Sequence, residues 1–300
     1  MQVHELADKW GRVATDLRVS LTDRCNLRCT YCMPAEGLDW MPTAEALTDD
    51  EVVRLITIGV ERLGIREVRF TGGEPLLRRG LSDIIARTAA LASKPETSLT
   101  TNALGLAKLA PALAEAGLTR VNVSLDSIRP EVFAKITLRD RLNDVIDGLA
   151  AAQRAGLGPV KVNAVLLRGV NDTEAGELLR WCLERGYELR FIEQMPLDPQ
   201  HGWSRDSMVT AAEILAQLES EFTLSPVGEA RGSAPAEIFE VDGGPGRVGA
   251  IASVTRPFCG DCDRVRPTAD GQVRSCWFAR EGPDRRSGLR GGATDEETAT

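Results

Sequence analysis

The chain has little histidine: His4 and His201 are the only two among 300 residues. A zinc centre built on imidazole therefore has almost nothing to draw on. Long apolar runs are also lacking, and none approaches the roughly 18 residues a membrane span needs. Met1-Gln2-Val3-His4-Glu5 lacks the basic start and apolar stretch of a secretory leader. There is no excess of positive charge either. The net charge of −8 argues against a general nucleic-acid surface. These absences predict a cytoplasmic protein with neither a membrane nor a nucleic-acid partner. A small polyanion stays open as a ligand, because it needs only a few cations gathered in one place.

An even number of cysteines is missing too. Seven cannot all be paired, and structural disulfides are rare in a reducing cytosol. Six of the seven form two triplets, Cys25, Cys29, Cys32 and Cys259, Cys262, Cys276. Cys182 stands alone beside Leu178, Leu179 and Trp181 on a predicted helix over Thr173–Arg185, and reads as a buried core thiol.

Between about residues 14 and 195, β-rich runs alternate with helical patterns. Strands are predicted over Asp16–Ser20, Glu67–Thr71, Thr97–Thr101, Arg120–Leu125, Val160–Leu166 and Glu188–Gln194. Thr48-Asp49-Asp50-Glu51 is a capping box that opens a helix running to Leu63, and Gly64 ends it. Arg141–Ala155 reads as another helix. Such alternation predicts a parallel sheet covered by helices, an incomplete (β/α)6 barrel of the TIM type. After residue 222 the texture changes. Ser225–Pro235 is rich in Gly, Pro and Ser, and short strands follow at Glu237–Val241 and Arg247–Ser253, with a hairpin at Asp270-Gly271. The expected division is a partial barrel over 1–222 and a small β-rich module over 223–300 laid against it.

Cys25-x3-Cys29-x2-Cys32 follows the first predicted strand, on the sheet edge where α/β active sites are built. Three thiolates can hold a [4Fe–4S] cube and leave one iron open, where four would saturate it. A structural zinc site, which takes four protein ligands, is the alternative. Thr71-Gly72-Gly73-Glu74-Pro75 follows the second strand. Its glycines would let the backbone approach a ligand, and its carboxylate could accept from an ammonium group. Cys259-x2-Cys262-x13-Cys276 supplies three ligands again, and a zinc ribbon would need a second close pair that Cys276 does not have.

Cys25-Asn26-Leu27-Arg28-Cys29-Thr30-Tyr31-Cys32 resembles the signature of the radical S-adenosylmethionine (SAM) superfamily, and the Gly72-Gly73-Glu74 run resembles its SAM-amino-group motif. From Gly11 to about Gly292 the chain resembles the GTP 3′,8-cyclase family that opens molybdenum-cofactor biosynthesis. Asp16–Arg24 and Cys259-Gly260-Asp261-Cys262-Asp263-Arg264-Val265-Arg266 carry this likeness. The resemblance implies two [4Fe–4S] clusters and SAM. The first cluster makes a 5′-deoxyadenosyl radical, and the second holds the guanine of GTP at its open iron. The ribose 3′ hydrogen is removed, and C3′ attacks guanine C8 to give 3′,8-cyclo-7,8-dihydro-GTP. It also implies a one-electron reductant and a downstream cyclic pyranopterin monophosphate synthase. A homodimer is compatible with it, although the sequence does not fix the oligomeric state.

By the same resemblance Tyr31, Gly73, Ser124 and Met195 match SAM positions, while Arg18, Arg69, Thr100, Lys161, Arg264, Val265 and Arg266 match GTP positions. Taken singly, Arg69 could pair with a neighbouring acid and Lys161 could face solvent. Two rival readings stay open: a peptide-modifying radical SAM enzyme with an auxiliary cluster, and a non-catalytic iron–sulfur protein. The family continues past residue 300 to a Gly-Gly tail. Here Gly291-Gly292 is internal, and Thr294-Asp295-Glu296-Glu297 opens a second capping box close to the end. The expectation is a shortened chain with weak or no cyclisation and with SAM and GTP binding largely kept.

Overall fold

The computed structural model describes residues 4–197, 199, 201–228 and 231–299. Residues 1–3, read above for a leader, lie outside this range, as do 229 and 230 within Ser225–Pro235 and residue 300. Six strand–helix units run as the alternation predicts. They comprise β1 (Asp16–Ser20), α1 (Asp49–Arg62), β2 (Glu67–Thr71), α2 (Leu81–Ala89), β3 (Glu96–Thr101), α3 (Leu106–Glu115) and β4 (Arg120–Ser124). Then come α4 (Pro130–Thr137), α5 (Leu142–Arg154), β5 (Lys161–Val165), α6 (Ala175–Glu184), β6 (Glu188–Ile192) and α7 (Ala211–Glu219). The capping box forms as read: the Glu51 amide donates to Thr48 Oγ1 at 3.2 Å, and Glu51 Oε2 accepts from the Thr48 amide at 2.8 Å. Gly64 takes φ +75° behind this helix, in the left-handed region that glycine occupies without strain.

Strands β1 to β6 pair in order and in parallel. Their residues alternate between two faces. Leu17, Val19, Val68, Phe70, Leu99, Val121, Val123, Val162 and Phe191 point to the helices and form the main core. The opposite face carries Arg18, Arg69, Thr100, Asn122, Asn163 and Arg190, which line one shared cavity of about 270 Å3. A sheet whose six strands reach one cavity is curled around it, so the core lies outside the barrel wall and the polar lumen inside.

The segment after residue 222 is not laid against this sheet from outside. Its strands are β7 (Leu224–Pro226), β8 (Glu237–Val241), β9 (Arg247–Ile251), β10 (Arg264–Pro267) and β11 (Val273–Arg274), with α8 (Arg285–Arg290) and α9 (Asp295–Ala299) behind them. Strand β9 pairs in parallel with β6, and β10 pairs in parallel with β1. The described strands form one sheet in the order β11-β10-β1-β2-β3-β4-β5-β6-β9-β8-β7. The boundary at residue 222 thus separates two stretches of chain but not two sheets. The predicted hairpin at Asp270-Gly271 is the turn between β10 and β11. Strand β6 stops at Ile192, short of the expected Gln194, because Glu193 turns its side chain into a separate hydrogen-bond cluster.

Candidate active site

The first cysteine triplet occupies the loop after β1, at the C-terminal end of the parallel strands. Backbone bonds hold the loop closed. The amides of Arg28 and Thr30 donate to the Thr137 and Ile136 carbonyls at the end of α4, each at 2.9 Å. Arg28 Nη1 donates back to the Cys25 and Leu27 carbonyls, both at 2.8 Å. The Tyr31 hydroxyl donates to Asp126 at 2.9 Å, and Asp126 also accepts from the Val165 amide at 2.9 Å. Burial pushes the Asp126 carboxyl up to about 6, although these two hydrogen bonds pull it back.

The Gly-Gly-Glu turn has a different task from the one its composition suggests. A Cβ on Gly73 would stand 2.2 Å from the Arg24 carbonyl oxygen, and one on Gly72 would stand 2.5 Å from that of Thr22. The backbone these glycines admit is the cysteine loop itself, which also accepts from the Gly73 and Glu74 amides at 2.7 Å. Glu74 is 1 % exposed and turned inward. Its carboxylate accepts from Thr101 Oγ1 and the Asn102 amide at 2.7 Å and from the Leu76 amide at 3.0 Å. These bonds tie β2 to β3. Asn102, which the sequence reading passed over, continues the chain of contacts. Its Oδ1 accepts from the Leu104 amide at 3.0 Å, so its Nδ2 must face the loop. There it donates to Asn26 at 2.8 Å and lies 3.8 Å from Cys25 Sγ.

Gly73, Ser124 and Met195 stand at or just past the ends of β2, β4 and β6. A pocket of about 240 Å3 has Thr30 and Tyr31 on one wall and Gln194 and Trp203 on the other. Met195 itself lines the larger lumen cavity.

The second triplet frames that same cavity, with Cys259, Cys262 and Cys276 all on its wall. Arg12 Nη1 donates to the Cys259 carbonyl at 2.6 Å, and Thr15 Oγ1 donates to Asp263 at 2.7 Å. Glu193 anchors the approach to the triplet. Its carboxylate accepts from the Ala211, Val254 and Thr255 amides at 2.8, 2.8 and 2.9 Å, and from Thr255 Oγ1 at 2.5 Å. Sequence reading missed Glu193 although it lies in the predicted strand Glu188–Gln194, two residues before Met195.

Charge in the lumen is distributed unevenly. Arg120 pairs with Glu67 and Glu96, and Arg190 with Glu188. Arg18 Nε reaches Asp16 at 3.1 Å. Arg69 Nε and Arg266 Nε and Nη1 are buried without any hydrogen-bond partner. Burial, and then the neighbouring Arg18, lowers Arg69 to about 9 and Arg266 to about 10. Lys161 is lowered to about 8 by burial and then by Arg190. The lumen thus works against its own positive charge, and an anion would relieve it. Of the residues matched to GTP, Arg18, Arg69, Thr100, Arg264 and Arg266 line the cavity. Lys161 is one residue from Val162 of the core and points to the lumen side beside Arg190. Val265 is turned away, with its side chain in the core between its two inward neighbours, so only its backbone is left to face a ligand.

All six triplet cysteines are free thiols. Burial raises the Cys25 and Cys29 thiols, so both need a bound cation to become thiolates. Among the described residues no three His, Cys, Asp or Glu side chains converge as a lone metal ion requires. A cube does not ask for that, since each thiolate takes its own iron. Three free thiols on one closed loop fit such a group.

A model of the radical SAM superfamily matches residues 19–182, and one described as Molybdenum Cofactor Synthesis C matches 187–300. A Streptomyces coelicolor protein named GTP 3′,8-cyclase is 66% identical over 297 residues, covering 99% of this chain and 87% of its own. Relatives of the same name from Mycobacterium sp. (strain KMS) and Corynebacterium glutamicum are 62% and 57% identical, covering 97% and 98% of this chain and 83% and 80% of their own. Among solved structures, Streptococcus suis SuiB bound to S-adenosylmethionine superposes with a TM-score of 0.60 at 14% identity, over 88% of this chain and 61% of that one. Native anSMEcpe with bound AdoMet gives 0.54 at 17%, over 68% and 60%. The chain spans less than two thirds of either structure, and the likeness is one of fold. No described helix is long and apolar enough to cross a membrane. By sequence over nearly its whole length, the chain belongs to the radical SAM superfamily and, within it, to the GTP 3′,8-cyclase family.

Proposed function

We propose that this chain converts GTP to 3′,8-cyclo-7,8-dihydro-GTP, the opening step of molybdenum-cofactor biosynthesis. Superfamily membership itself brings one [4Fe–4S] cluster and SAM. Cys25, Cys29 and Cys32 would hold that cluster, with Tyr31, Gly73, Ser124 and Met195 around SAM. When bound, the pair would supply one-electron cleavage of SAM and with it the radical chemistry that joins ribose C3′ to guanine C8.

The carrying observation is the unpaired cationic lumen: Arg69 Nε and Arg266 Nε and Nη1 are buried without acceptors in a cavity framed by Cys259, Cys262 and Cys276. Guanidinium forks suit phosphate oxygens. Arg18, Arg69, Lys161, Arg264 and Arg266 would take the triphosphate, with Thr100 and the Val265 backbone beside them. The second triplet would hold the second [4Fe–4S] cluster, whose open iron receives the guanine. Ile192 and Ile251 form an apolar part of the wall. A peptide substrate has no use for so many buried cations.

The same reading assigns a one-electron reductant upstream, a cyclic pyranopterin monophosphate synthase downstream and a cytoplasmic location, with a homodimer as the quaternary state to examine. The test is anaerobic reconstitution, with iron counted and 5′-deoxyadenosine release measured with and without GTP. About eight irons per chain and a GTP-dependent rise in release are expected. No SAM cleavage even with GTP present, or release indifferent to GTP, sinks the reading.

A further inference from the structure

Each end of the second triplet brings an aromatic ring onto a cavity arginine. Phe258 precedes Cys259, and its ring centre lies 5.0 Å from the guanidinium carbon of Arg264. Trp277 follows Cys276, and its ring centre lies 4.7 Å from that of Arg266. Both rings and both arginines line the lumen cavity. Arg266 is only 7 % exposed, yet its Nε and Nη1 have no acceptor.

A guanidinium meets hydrogen-bond acceptors in its plane and π-faces above and below it. At Arg266 a ring stands 4.7 Å from the guanidinium carbon, and Nε and Nη1 have no acceptor. A stacked ring fixes the plane of the fork without consuming a donor. A carboxylate would also fix it, but would take the donors and cancel the charge. That second arrangement is the one seen at Arg120 with Glu67 and at Arg190 with Glu188. The lumen thus holds Arg190 paired with an acid, Arg69 with an unpartnered Nε and no recorded ring behind it, and Arg266 backed by a ring with Nε and Nη1 unpartnered.

We propose that Trp277 is a positioning residue that holds the Arg266 fork at the cavity, presetting a grip on a nucleotide triphosphate, while Phe258 backs Arg264, whose Nη2 is also held by the Ser233 carbonyl. This rests on the GTP reading and deepens it, because it ties the phosphate grip to the same loops that carry Cys259 and Cys276. Trp277 is the better handle. It is 45 % exposed, so shortening it leaves no void in the core. The Phe258 ring also backs Arg231 at 5.5 Å, so replacing it disturbs two contacts.

The experiment compares Trp277→Leu and Trp277→Phe with the native chain, each reconstituted with iron and sulfide. Binding of inorganic tripolyphosphate, GTP and guanosine is measured by calorimetry, with SAM affinity and iron content as checks on integrity. The leucine variant should weaken tripolyphosphate and GTP about threefold to tenfold, and the phenylalanine variant should recover most of this. Guanosine should be unaffected. An unchanged tripolyphosphate Kd in Trp277→Leu overturns the proposal. So does a loss confined to guanosine and GTP, which would make the ring a platform for the base. Native protein that binds neither tripolyphosphate nor GTP would instead overturn the nucleotide reading itself, so the two failures are distinguishable.

Discussion

The two cysteine triplets solve one problem in opposite ways. The first spans eight residues in a single loop, pinned to α4, to the Gly-Gly-Glu turn and to Asp126. Its anchors come from the parallel barrel wall. The second spans eighteen residues and is split by the β10–β11 hairpin. Its anchors come from distant chain: Arg12 and Thr15 before β1, and Glu193 after β6. Even the side-chain groups near sulfur differ. A neutral amide, Asn102, faces Cys25 at 3.8 Å, and a cation, Arg264, faces Cys262 at 3.7 Å. The first loop is closed against the barrel wall, with Arg28 bound to its own carbonyls. The second belongs to a cationic cavity.

The comparison breaks most visibly at the cysteines. Cys25→Ala should abolish SAM cleavage, whereas Cys276→Ala should keep part of it and lose its dependence on GTP. Each should lower the iron count by about four per chain. Identical behaviour of the two variants toward SAM would erase the division of labour. Next in size is Arg266→Ala. Removing charge-assisted hydrogen bonds worth about 1.5–3 kcal/mol should weaken GTP binding roughly tenfold or more and leave SAM affinity near native. Calorimetry with each ligand separately decides it, and equal losses would remove Arg266 from the phosphate site.

A smaller effect is expected at Glu193. Its burial would raise the carboxyl, but the Ala211, Thr255 and Val254 donors hold it below its ordinary value. A carboxyl lowered on folding stabilises above the unfolded pKa, and that contribution fades as pH falls through the folded pKa. Glu193→Gln should cost about 1–3 kcal/mol at neutral pH, with a flatter acid limb in the melting profile. The iron lost first should come from the second triplet. Loss from the first triplet alone would show that Glu193 does not anchor the second. The smallest effect concerns Lys161, lowered to about 8. It binds an anion only while protonated, so GTP affinity should fall by a few-fold as pH rises through 8. Lys161→Arg, which stays charged, should flatten that profile, and a slope that survives the substitution assigns the titration elsewhere.

Much of this was legible in the sequence because it is local. Strand and helix order follows from periodicity and caps, and β1, β2 and β8 begin and end where the pattern places them. The cysteine spacings identify both triplets. The glycines of the Gly-Gly-Glu turn were recognised as necessary, but their close approach to the Thr22 and Arg24 carbonyls was not legible, since a sequence does not say which stretch of chain comes close. Asn102 and Glu193 could not be told from ordinary polar residues at strand ends, since their roles rest on partners 77 and 62 positions away.

By itself the sequence determined the chemistry: two sets of three thiols, a helix-covered parallel sheet and a supply of arginines on an acidic chain. Only the tertiary structure decided how those arginines are used. Alternation along a strand tells which residues share a face, but not which carboxylates stand across from them. Packing β10 beside β1 and β9 beside β6 brought the second triplet into the wall of the same lumen as Arg69. Charges far apart in sequence met there, some paired with acids and some left with free donors. That difference depends on distances in space, and spacing along the chain does not contain it.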